Sequence, residues 1–474
     1  MFLRRHVELG AYMPHELCIE MSADRALVDA SGNRVEPTPV ETLSTFVHEY
    51  FHYLQNISTV SGFAAYHATQ QLLAIFSHTV GATGESGGSG RLSAELVRRL
   101  RELADYLDLL EGDAGPEHDV LESIVQVAAQ RRELPFGNGV SRLSEVTVVC
   151  EVQTAQGPPE RRSLQLGLCV IEEGLAYEID RIVATADGEV PGGNAPTFPY
   201  FVLRRLGEHL APGIDRFTLL ACGVLSLLTN DPAGALVDAL RDLGERHRQG
   251  AAISDAFAQV EEALRAPRTG AINTILEDVE GLRRMHARRG AAEDAMNHVC
   301  DIFSSLLARR LDDPLWDVRP FAAQLDKRRL TELLHSVEPC LVLQRLPDDD
   351  DDPDDGDRPQ HDLMLAFGKV GEAAKEMTRR ALPVLQCQLH YVDVHLDRDE
   401  FVPSAEVSPK HAGCPFYRSC TLQLRRDHAD VCKRSPWKIY GLSAKETCWY
   451  GAAVAATLGT VRLLSTLPTE DSDP

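Results

Sequence analysis

Positive charge is scarce in this chain. Lys and Arg together number 48 against 71 Asp and Glu, which leaves a formal net charge of −23 and a sequence pI near 5.2. Nucleic-acid binding draws most of its affinity from cations that neutralise phosphates, so general binding of DNA or RNA is not expected. Long apolar runs are missing too. The longest, residues 217–228, falls short of the roughly 20 residues that span a bilayer. Residues 1–10, MFLRRHVELG, hold no apolar stretch of signal-peptide length. No membrane partner and a cytoplasmic location are therefore the expectations. There is no G-x-x-x-x-G-K-[ST] and no strand-linked G-x-G-x-x-G, and the G-x-S-x-G string at residues 84–88 falls in a glycine-rich loop rather than at a strand-to-helix turn, which sets aside the phosphate-cradling loops and the serine-hydrolase elbow. The 11 cysteines include no C-x-x-C pair. In a chain of this length they do not read as a small disulfide scaffold, and reduced thiols are expected.

What is present is ordinary globular material, 44% hydrophobic and 25% charged. The 474 residues suggest about two to four domains. Strand formers at 16–22, and a turn at Ser31-Gly32-Asn33, place strands before residue 38. Leu43, Phe46, Val47, Phe51 and Leu54 recur at spacings of three and four, the helical period. Helices are also expected at 62–78, 91–110 and 119–131, with a flexible loop at 81–90. A β-hairpin follows over 144–152 and 162–168, then a helix over 170–184. Residues 197–343 read as almost all helical. An acidic linker, PDDDDDPDDGD, precedes a helix at 364–380, an alternating strand-like HYVDVH and a Cys- and His-rich tail. The expected segments are 1–190, a helical region at 196–345, a disordered acidic linker at 346–359, and a Cys-rich C-terminal module at 360–474.

The chemistry lies in Val47 to Gln55, VHEYFHYLQ, which contains His-Glu-x-x-His. Four residues apart on a helix of 3.6 per turn, His48 and His52 share a face and can reach one ion. Glu49, one step round, can approach a water on that ion without ligating it. Zinc lowers the pKa of such a water towards neutrality, and Glu49 then serves as general base. A catalytic zinc usually has three protein ligands. The HExxHxxGxxH route to the third is closed, because Gln55 and Ser58 occupy its positions. A glutamate on a later helix is the alternative, and IEEGLAYEID at 171–180 offers Glu172, Glu173 and Glu178.

HEYFH followed by EEGLAYE resembles the gluzincin group of HExxH zinc metallopeptidases. The resemblance covers these two segments only. It implies a zinc-dependent peptidase acting on a protein or peptide substrate, with His48, His52 and Glu173 as zinc ligands and Glu49 as catalytic base. Glu172 and Glu178 are fallback ligands. The group's acidic residue four positions after the ligand glutamate is replaced here by Tyr177, and Asp180 is the nearest substitute for orienting a histidine. Tyr177, His67 and Tyr53 are candidates for stabilising an oxyanion. The implied fold is α+β and predominantly helical: a zincin-like catalytic core with a small β-sheet, an added helical region and the Cys-rich module.

Cys414, Cys420, Cys432 and Cys448 crowd into 35 residues, with Cys387, His411 and His428 as further donors. Four thiolates can hold a second, structural zinc or an iron–sulfur cluster, or the cysteines can be unligated core residues. The stretch is locally basic, with Lys410, Arg418, Arg425, Arg426, Lys433, Arg434 and Lys438. It is a candidate docking face for an acidic partner or nucleic acid, or a solvated face balancing the acidic linker. The alternative function is accordingly a regulatory or binding protein with structural or vestigial zinc sites, recognising its partner through the C-terminal module. A metallohydrolase acting on something other than peptides is a third reading.

Overall fold

The apolar period around residues 43–54 becomes, in a computed structural model of the chain, the central helix α1 (Val40–Ser58). The structure describes residues 10–27, 38–113, 120–136, 139–153, 158–186, 198–322, 330, 334, 340–345, 362–367, 372–397, 402–407, 412–442 and 448–459. The acidic segment, the turn at residues 31–33 and His411 lie outside these.

Ahead of α1 come the short strands β1 (Gly10–Met13) and β2 (Cys18–Met21). Thr59 ends α1 in an extended conformation and caps α2 (Val60–Phe76), its hydroxyl accepting from the Gly62 amide. Next are α3 (Ala94–Glu111), the meander β3 (Val120–Phe136), β4 (Gly139–Gln153) and β5 (Glu160–Leu166), and α4 (Leu168–Ala186). A helical run follows: α5 (Val202–Leu210), α6 (Arg216–Leu227), α7 (Pro232–Arg248), α8 (Ile253–His286) and α9 (Ala291–Asp312). The chain then returns as β6 (Cys340–Arg345) and β7 (Asp362–Phe367), and continues into α10 (Glu372–Val394). Beyond the pair β8 (Leu396–Asp397) and β9 (Val402–Pro403) lie α11 (Gln423–Asp427), α12 (Ala429–Arg434) and α13 (Trp449–Thr457).

The architecture is thus mixed α/β and mostly helical, with small sheets. The four-stranded sheet has the order β1-β2-β6-β7; β2 and β6 are parallel and the other pairs antiparallel. This sheet joins residues 10–21 to strands more than 300 positions later. One apolar core runs through Ile19, Phe51, Ile179, Phe303, Val342 and Val454, so both ends of the chain share it.

Three local expectations are corrected. Of the residues 119–131 expected as a helix, 120–131 lie along β3. Ala, Gln, Arg and Glu gave the segment a helical composition, but it pairs with β4 nearly end to end, and cross-strand pairing outweighs propensity. Residues 364–367 belong to β7, and the helix expected there starts at Glu372. HYVDVH, apart from His395 just beyond it, forms the end of α10 rather than a strand: it is buried on all sides, and a fully buried segment carries no readable period. His390 bonds the Tyr450 hydroxyl and His395 the Tyr391 carbonyl, each at 2.9 Å, so the two share no ion.

One buried ion pair anchors the end of α1. Arg310 of α9 and Asp317 are both 0% exposed and meet through two bonds of 2.6 and 2.7 Å. The same guanidinium donates to the Ser58 carbonyl at 3.2 Å and to its hydroxyl at 2.8 Å. Asp317→Ala strands that cation in the core. The expected cost is about 3–5 kcal/mol of unfolding free energy, read as a lowered denaturant midpoint.

Candidate metal centre

The site forms where α1 crosses α4. The two helices run antiparallel: Glu173 meets His48 and His52, while Asp180, two turns on, accepts a hydrogen bond from the Ser44 hydroxyl, one turn before His48. Asp180 therefore clamps the helices together and does not reach an imidazole. Gly174 lets α5 close on the outer side of α4, since a Cβ there would lie 2.4 Å from Leu203 Cβ. Glu178 is engaged there as well. It is 1% exposed and pairs with Arg216 at 3.0 Å and Arg204 at 3.5 Å. That removes it as a fallback ligand and gives it the task of holding α5 and α6 onto α4.

His48 Nε2 lies 3.3 Å from Glu173 Oε2, His52 Nε2 lies 3.4 Å from the same oxygen, and the two Nε2 atoms are 3.2 Å apart. Donors at about 2.0–2.2 Å from a tetrahedral zinc are separated by about 3.3–3.5 Å. The three atoms thus form a nearly equilateral face that fits one such ion. Among the described residues this is the one group of three or more His, Cys, Asp or Glu donors close enough for a single ion. It offers three donors rather than four, and the side chains keep 12%, 10% and 25% of their surface exposed for His48, His52 and Glu173. A structural zinc site is closed by four protein ligands, whereas a catalytic one leaves a corner for solvent.

The electrostatics follow from this crowding. Burial disfavours the charged form of His52, but the Glu173 carboxylate overrides it and lifts the imidazole to about 9. Burial likewise opposes ionisation of Glu173, and the His52 and His48 rings overcome it, holding the carboxyl well below the usual range. Glu49 is 8% exposed. Burial pushes its carboxyl up, against the pull of the two imidazoles, and Glu173 pushes the same way as burial. The Tyr12 backbone N–H donates to Glu49. β1 lies directly on α1 here: a Cβ on Gly10 would come 2.8 Å from Thr45 Cγ2 and 3.3 Å from Glu49 Cγ. Glu172 faces inward beside the group, and burial raises it to about 8. It does not join the donor triangle.

Of the oxyanion candidates, Tyr53 is buried at 1% exposure and packs edge-on against Tyr12. His67 packs on Phe63 and Phe136. The Tyr177 hydroxyl accepts from Arg181 at 3.0 Å. The aromatic from outside α1 that packs on His48 is Tyr200, whose ring centroid stands 5.9 Å from that of His48. Sequence reasoning passed over it because residues 198–201, FPYF, follow a Pro/Gly break and carry no period. The Tyr12 amide left no signal either, being backbone.

No disulfide joins the C-terminal cysteines, and Cys414, Cys420, Cys432 and Cys448 line one cavity. Much of the local positive charge is used within the molecule. Arg418 pairs with Asp362 at 3.3 Å, Lys438 with Glu85 at 3.4 Å, and Arg425 donates to the Cys420 carbonyl at 2.9 Å. Among the described residues no helix is long and apolar enough to cross a membrane. No protein-family model, no curated protein and no solved structure matches the chain.

Proposed function

We propose that the chain is a zinc-dependent hydrolase that cleaves peptide bonds, a peptidase of the gluzincin type. The observation that carries this reading is the donor triangle of His48, His52 and Glu173, with edges of 3.2–3.4 Å and one side open to solvent. Zinc in such a site supplies Lewis acidity, which makes water a stronger acid and a carbonyl a better electrophile.

The remaining work belongs to side chains of this chain. Glu49 sits next to the triangle without entering it, and its burial keeps its proton affinity above that of an ordinary glutamate. A base of that kind takes a proton from water and returns it to a leaving amine. Tyr200 stands beside His48 as the nearest aromatic from outside α1 and α4.

A peptide substrate is favoured by the neighbouring sheet. Among the described residues β1 is an edge strand, partly exposed along its length, and it runs against Glu49 through Gly10 and Tyr12. An edge strand recognises an extended peptide through backbone hydrogen bonds. Such recognition is specific to polypeptide and independent of its side chains.

The test is hydrolysis of an unfolded protein substrate, followed by mass spectrometry of the products. Cleavage should stop on removal of metal with a chelator and return with about one equivalent of zinc. Zinc-loaded protein that cleaves no unfolded substrate counts against the reading, as does hydrolysis that is indifferent to chelation.

A further inference from the structure

We propose that Cys414, Cys420, Cys432 and Cys448 hold a four-iron, four-sulfur cluster, a second inorganic site independent of the His48 triangle. Two of the four sulfurs come from loop residues, Cys414 and Cys420, one from the short helix α12 and one from the residue that caps α13, with five, 11 and 15 residues between successive cysteines, yet all line one cavity. Phe416 and Trp449 form part of its apolar wall.

Spacing separates a cluster from a single zinc. Zinc–thiolate bonds of about 2.3 Å bring tetrahedral sulfurs to about 3.8 Å from one another. No three of these four sulfurs form a group close enough for one ion. A cubane takes one cysteine at each of four iron corners, with each sulfur outside its own iron, so the four cysteine sulfurs stand farther apart than around one zinc. Cysteines that share a cavity without converging on a point suit that arrangement.

The surroundings are those of bound sulfur. The Gly451 amide donates to Cys448 Sγ at 3.2 Å from the first turn of α13, and the Tyr450 amide bonds it as well. Cys387, buried in α10, places its thiol in hydrogen-bond contact with Cys414. The Arg425 guanidinium acts on Cys432 as a neighbouring positive charge. Amide donors, a thiol donor and a nearby cation offset the negative charge of a thiolate-ligated cluster and set its potential.

The experiment uses the full chain, purified without oxygen from iron-supplied cells, or reconstituted with ferrous and ferric iron plus sulfide. The expected product holds about four iron and four labile sulfides per chain and absorbs broadly near about 400 nm. Cys432→Ser and Cys448→Ser should each lose that iron. Glu173→Ala should keep it, which separates this site from the peptidase reading. Cys387→Ala should keep the iron and shift the reduction potential. Should a ligand variant fail to fold, the wild type decides: reduction with dithionite must produce the paramagnetic signal of a reduced four-iron cluster. Zinc retained by the cysteines in place of iron overturns the proposal. So does iron that survives both ligand substitutions, or wild-type protein that takes up no iron at all.

Discussion

Glu49→Gln is expected to keep its zinc and lose about 10²- to 10⁴-fold in kcat, the range that positioned proton transfer contributes. The substitution preserves shape and removes only basicity. Glu49 lies outside the donor triangle, so the ion should stay; in the proposed mechanism its carboxylate is the base, so turnover should go. Metal content by elemental analysis and peptide hydrolysis by mass spectrometry give the two halves of the result. A variant with full zinc and near wild-type turnover would remove the general base, and with it the hydrolytic mechanism. A variant that loses its zinc would make Glu49 a ligand, against the geometry.

Glu173→Ala should fail differently. Glu173 Oε2 closes two edges of the triangle, at 3.3 and 3.4 Å. Without it two imidazoles remain on a single helical turn, and two neutral ligands hold zinc weakly. Zinc affinity should drop by more than the roughly 10–100-fold that loss of a supporting hydrogen bond costs, and hydrolysis should drop with it. Titration with a chromophoric chelator measures the first effect. Retention of zinc at wild-type affinity would mean that another carboxylate serves, and Glu172, next to Glu173 on α4, is the one to replace in turn. Stability should respond less than to Asp317→Ala, because Glu173 is a quarter exposed and Asp317 is fully buried.

The two variants divide the site along its two helices, and that division tracks how much of it could be read in advance. His48, Glu49 and His52 fall within five residues, and their relative placement follows from helical geometry alone. The same holds for α2, α3 and the β4–β5 hairpin, where apolar period or turn residues are local. The β3 strand was not legible, because its residues favour helix in isolation and only pairing with β4 extends them. β6 and β7 were hidden for a related reason: each is short, and each is a strand by virtue of neighbours more than 300 residues away or across the sheet. The end of α10 misled through its alternation, which meant nothing once every face was buried.

What the sequence alone determined is the local half of the centre: two imidazoles and a carboxylate on one amphipathic helix, in an acidic chain with four cysteines gathered near its end. Tertiary structure decided the rest. It chose Glu173 over Glu172 and Glu178, turned Asp180 towards Ser44 and Glu178 towards two arginines, laid β1 on Glu49, and set the four cysteine sulfurs around a common space. The physical reason is range. Helical period fixes neighbours within one or two turns, whereas which face of α4 meets α1 depends on core packing drawn from both ends of the chain.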